Sequence, residues 1–191
     1  MLDLRRVLAG IAWLLLPGLH ACDTFGSAPD RTACSNPSEC TLIDNACCGT
    51  CGALSLDNVT AINRRSLDEQ RAEQCGEDLF CNPIFCPAQA PLVVATCRAG
   101  RCTAIPLTRE PVAACVNDAD CHVRATACCE CGASTDPGRL VAVSDRGAFG
   151  ALVCGPDTAC PECEASYPEE VTASCIAGSC QILDRRADLP R

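Results

Sequence analysis

Lysine is missing from this chain of 191 residues: all 15 basic side chains are arginine. We read that as a GC-rich coding bias. Aromatic residues make up only 3%, so a large aromatic-packed core is not expected. Histidine occurs twice, and His20 lies in the apolar leader described below, which leaves His122 as the single imidazole of the remaining chain. A Ser–His–Asp or Cys–His arrangement needs an oriented base. His122 follows Cys121 in a segment with alternating character and is expected as an exposed strand residue. With one tyrosine, Tyr167, and no lysine, hydrolytic machinery is not expected, and the chain reads as no enzyme. A positive footprint is lacking too: the net charge is −9 and basic residues cluster only in pairs, so nucleic-acid binding is disfavoured.

Only one long apolar run is present. Residues 7–19, "VLAGIAWLLLPGL", follow Arg5 and Arg6. Their length suits a signal peptide and is short for a membrane span. The run closes on Leu19-His20-Ala21-Cys22, which resembles the lipobox of bacterial lipoproteins. That resemblance implies cleavage after residue 21, a diacylglycerol thioether and an N-acyl group on Cys22, and a membrane anchor through that lipid. His20 departs from the usual small or aliphatic residue. Arg5-Arg6 also faintly resembles a twin-arginine signal, but a chain so rich in cysteine needs an oxidising compartment in which to fold. Asp23, the next residue, resembles the inner-membrane retention signal of enteric lipoproteins, with the outer membrane as the other destination.

What the chain does have is cysteine: 21 of them, about 11%, above the ~8–10% that marks a disulfide scaffold. Setting Cys22 aside leaves two tens. Cys34, Cys40, Cys47, Cys48, Cys51, Cys75, Cys81, Cys86, Cys97 and Cys102 are followed by Cys115, Cys121, Cys128, Cys129, Cys131, Cys154, Cys160, Cys163, Cys175 and Cys180. Corresponding members lie 77 to 81 residues apart, which reads as a tandem duplication. The expected organisation is a leader (1–21), a stalk (22–33), a first module (34–105), a linker (106–114), a second module (115–183) and a disordered tail (184–191). An even count implies about five bridges within each module. The connectivity stays open, since ten cysteines allow on the order of a thousand pairings.

Each module is expected to be small, disulfide-rich α+β. "TLID" (41–44) and "HVRA" (122–125) read as strands entering the double cysteine. Neighbouring side chains of an extended chain point to opposite faces, so Cys47 and Cys48 are expected to take different partners. Asn63 and Ser144 are candidate helix caps for residues 64–74 and 145–153, each stopped by Cys-Gly. Hairpins follow at 93–105 and 171–183, turning at Ala99-Gly100 and Ala177-Gly178. The two cysteines flanking each turn form a close cross-strand pair; they bridge each other or lock onto the rest of the module. Units of about 70 residues with few aromatics bury little apolar surface. Bridges worth roughly 2–4 kcal/mol each are therefore expected to decide stability.

Chemical readings compete poorly. Cys48-Gly49-Thr50-Cys51 and Cys160-Pro161-Glu162-Cys163 have zinc-ligand spacing. Their counterparts have one and four intervening residues, a change that disulfide loops tolerate better than a chelate. Residues 160–163 also match the thioredoxin-like spacing, but without its βαβ setting. Asp118 and Asp120 alternate, with no calcium-loop spacing around them. No metal or other cofactor is expected. The C-x5-C-x6-C-C run of each module resembles part of the whey-acidic-protein four-disulfide core over about 18 residues, which implies inhibition of a secreted protease as the alternative function. Taken whole, residues 1–183 resemble cysteine-rich lipoproteins and secreted proteins of GC-rich bacteria. That resemblance implies an envelope location and disulfides, with a non-enzymatic binding or structural role toward a protein or other envelope component.

Overall fold

Short apolar runs punctuated by turns fold into short paired strands in the computed structural model, which describes residues 30–76, 89–133, 137–156 and 158–185. The leader, Cys22, Cys81 and Cys86 lie outside the described residues. Strand β1 (Cys40–Asp44) pairs antiparallel with β2 (Val59–Asn63), Thr41 opposite Ile62. Helix α1 (Leu67–Cys75) follows, and β3 (Val93–Arg98) and β4 (Arg101–Pro106) form a hairpin. Further on, β5 (His122–Ala125) pairs antiparallel with β7 (Leu140–Val143), His122 opposite Val143. Two-residue strands β6 (Gly132–Ala133) and β8 (Ala165–Ser166) form a parallel pair. Helix α2 (Arg146–Val153) follows β7, and β9 (Val171–Ile176) with β10 (Ser179–Asp184) closes the chain as a second hairpin. The architecture is small and disulfide-rich, with small antiparallel sheets and few short helices.

Both hairpin turns place two residues at positive φ, Ala99 and Gly100 in one, Ala177 and Gly178 in the other. That geometry matches the right-handed twist of the strands it joins. The flanking cysteines stand opposite each other, Cys97 with Cys102 and Cys175 with Cys180. They do not bridge each other. Cys34 bonds Cys97, Cys40 bonds Cys102 and Cys47 bonds Cys75. The later bridges are Cys115–Cys175, Cys121–Cys180, Cys128–Cys154, Cys129–Cys160 and Cys131–Cys163. Cys48 and Cys51 are also oxidised.

Several expectations need correction. The stretch 106–114 is no free linker: Leu107–Arg109 and Pro111–Ala113 are 3-10 turns, and Leu107, Val112 and Ala113 are buried. Residues 30–33 are not stalk. Arg31 and Thr32 carbonyls accept from the Asn63 and Cys102 amides at 2.6 and 2.7 Å, and Ala33 bridges Arg101. Asp184 ends β10 rather than opening a tail. The first helix is split, because Asn63 caps a 3-10 turn (Arg64–Ser66) ahead of α1. The second is capped by Asp145, whose carboxylate accepts from the Ala148 amide. Ser144 instead donates its hydroxyl to the Val112 carbonyl. Gly76 does end α1 at φ 66°, whereas α2 stops on Cys154 in extended backbone.

One core runs across the chain. Val94, Ile105 and Leu107 pack with Val112, Val141, Val143, Phe149 and Val153, so β3–β4 of the first half receives α2 and shares its core with β7 of the second. Thr96 donates its hydroxyl hydrogen to the Leu152 carbonyl at 2.6 Å. A Cβ at Gly155 would stand 3.2 Å from the Asn36 side chain, so glycine lets the halves approach closely there. Two further clusters are lined by cystine: Cys40, Ala61 and Cys102 in one, Cys121, Ala142 and Cys180 in the other.

Candidate interaction surface

The cysteines placed by the structure are cross-links. Sulfurs of Cys34, Cys40 and Cys102 lie within 4.8 Å of one another, as do those of Cys115, Cys121 and Cys175, and of Cys128, Cys129 and Cys160. Each belongs to a bridge, and metals bind the thiolate; the crowding comes from bridges stacked side by side. The C-x-x-C at 160–163 joins Cys129 and Cys131 across the β6–β8 ladder. It makes no bridge of its own.

Between Cys115 and Cys121 the chain makes a tightly braced loop. Both ends are bridged, to Cys175 and Cys180. Asn117 and Asp120 form a capping box around the 3-10 turn Asp118–Asp120. The Asp120 carboxylate accepts from the Val116 and Asn117 amides at 2.8 and 3.0 Å. Asp118 accepts from the Ser174 hydroxyl at 2.7 Å and the Cys175 amide at 2.8 Å, tying the loop to β9. Those bonds favour the charged forms, so both carboxyls titrate below the ordinary range, Asp118 chiefly through Ser174 and Asp120 chiefly through the Val116 amide. The alternating aspartates are thus loop struts. At the loop's tip Val116 is 92% exposed. His122 is exposed beside the loop, as its sequence context suggests.

The matching loop, 35–39, is braced the same way by Glu39, which accepts from the Ser35 hydroxyl and amide and from Asn36. Its surroundings differ, because Asn36 meets Gly155. The strand faces differ likewise. Val94, Thr96 and Ile105 of β3–β4 are each 3% exposed under α2. At the same register of β9–β10 stand Thr172, Ser174 and Leu183, with Leu183 41% and Ile176 40% exposed.

A buried charge went unnoticed in the sequence, where Arg124 is one residue in a four-residue strand. It is 4% exposed, donates to the Arg146 and Cys128 carbonyls at 2.9 and 3.0 Å, and lies 4.7 Å from the Phe149 ring centroid. Its Nε is 3.3 Å from Glu130, which also accepts the Tyr167 hydroxyl. Burial lowers the Arg124 pKa without neutralising a guanidinium. The cluster ties α2 to the double-cysteine segment. Its chemistry is structural: a cation held by two carbonyls, a ring and an ion pair to one carboxylate, with its buried Nε–H making no hydrogen bond. No protein-family profile, curated protein or solved structure matches the chain.

Proposed function

We propose that this is a lipid-anchored protein of the bacterial cell envelope, in which two duplicated, disulfide-stapled modules serve a non-enzymatic binding or structural role. The cysteine arithmetic carries the reading: one cysteine, Cys22, directly follows the leader, and the other twenty fall into two matching tens. The correspondence Cys34–Cys97 with Cys115–Cys175, Cys40–Cys102 with Cys121–Cys180, and Cys47–Cys75 with Cys128–Cys154 supports duplication. By the same correspondence, Cys81 is the expected partner of Cys48, and Cys86 that of Cys51. An oxidising compartment is what so many bridges require. Two signals are expected at the anchor, because one acyl chain alone holds a protein only marginally.

Metabolic labelling with a fatty-acid analogue is expected to mark the wild-type chain and to vanish in Cys22→Ser. Mass mapping of non-reduced peptides is expected to return the three linkages of the first half and the five of the second named above, plus Cys48–Cys81 and Cys51–Cys86. Persistent labelling, or a bridged Cys22, sinks the anchor.

Inhibition of a secreted protease is the second reading, favoured by the braced, exposed Val116 loop and its difference from loop 35–39. It ranks second because the Val116 and Asn117 amides are already tied to Asp120. A segment presented as an added strand needs its main-chain groups free for the partner.

A further inference from the structure

The fold already uses one version of a docking surface internally. In the first half, loop 35–39 and the outer face of β3–β4 hold α2, through Val94, Thr96 and Ile105. The second half repeats the same scaffold, with loop 116–120 beside β9–β10, and no helix among the described residues covers Ile176 and Leu183, which stay exposed. Scattered exposed apolar side chains are ordinary. Here, however, three of the five exposed large apolar side chains among the described residues, Val116, Ile176 and Leu183, belong to this one loop and hairpin. We propose that the outer face of β9–β10, with loop 116–120 as its rim, is a docking site for a short amphipathic helix of a partner protein, apolar on its buried side and basic at its flanks.

The helical occupant follows from the internal precedent, in which a two-turn helix with small residues seats on the matching face. The basic flanks follow from charge: Asp118 and Asp120 rim the loop, and exposed Glu170 stands beside the far end of β9. A second copy of this chain fits poorly. The element it would offer by analogy is α1, which buries no residue and carries Asp68, Glu69 and Glu73. The bracing lowers the ordering cost of binding, since the loop is fixed before a partner arrives.

The inference rests on the proposed binding role, yet is tested without reference to the lipid. The probe is a fluorescent peptide copying residues 144–156 with Cys154→Ser, titrated with the oxidised chain. Saturable binding is expected, tighter for a peptide also carrying Asp145→Arg, and weakened about tenfold or more by Leu183→Asp or Val116→Asp. Leu56→Asp, at an exposed apolar residue elsewhere, is expected to leave it unchanged. Unaltered disulfide maps establish that the variants fold. Absence of saturable binding overturns the proposal, as does binding indifferent to Leu183→Asp and Val116→Asp. Concentration-dependent self-association abolished by Leu183→Asp also overturns it, by assigning the face to a second copy. Loss of fatty-acid labelling bears only on the anchor and leaves this titration intact.

Discussion

Tyr167 gives its hydroxyl hydrogen to Glu130, and burial together with that carboxylate pushes its pKa up to about 12. Because the folded value lies above the ordinary 10.0, the contribution of the neutral phenol is complete below pH 10 and is lost as pH rises toward 12. It is the chain's one tyrosine, so phenolate absorbance follows it alone. The expected midpoint is near 12, and Glu130→Gln is expected to lower it by removing the negative neighbour. A midpoint at the ordinary tyrosine value in the folded wild type contradicts the contact. Asp118, Asp120 and Glu39 run the other way. Their lowered values stabilise the loops above the ordinary carboxylate range, and that contribution fades as pH falls through the folded values. Acid thus loosens the struts while the bridges that frame each loop stay closed.

Among the elements, α1 and α2 occupy matching places and do opposite work. Helix α1 is polar and held from outside by Arg31, which reaches Glu69, Gln70 and Glu73. Helix α2 is apolar and enters the shared core with Phe149 and Val153. Phe149→Ala is expected to cost about 3–5 kcal/mol, read as a lowered denaturation midpoint with disulfides intact. A loss below about 1 kcal/mol would show that bridges alone carry the fold. The strands, turns and helix positions were largely legible in the sequence, because they follow from local signals: alternation, turn glycines and a cap ahead of a polar run. Cys47 and Cys48 do take different partners, but they lie in a turn past the end of β1 rather than in the extended chain on which that expectation rests. What local signals cannot show is which face meets a distant one. Leu107 and Val112 read as linker because their burial depends on Val141, Val143 and Phe149, some thirty or more residues later. Arg124 drew no notice within its strand because its acceptors are carbonyls, which leave no mark in a sequence. Of the candidate surface, the bridged ends of the loop were readable and Val116 was not.

At the scale of the molecule, one core shared by two halves argues against free-standing units. Residues 107–185 produced alone would bare Val141, Val143, Phe149 and Val153, so the isolated half is expected to bind an apolar dye and to self-associate. A monomeric, dye-silent fragment would show that bridges suffice for each half. The anchoring of residues 30–33 on the body has a further bearing on where the protein can work. If Cys22 carries lipid, as proposed, eight peptide units separate the bilayer surface from the first packed residue, and even drawn taut they reach at most about 28 Å. Such a leash confines the body to a thin layer over its own membrane. Partners would have to arrive by diffusing within that layer or by projecting into it, and a partner fixed to the opposite membrane would stay beyond reach unless it came most of the way itself.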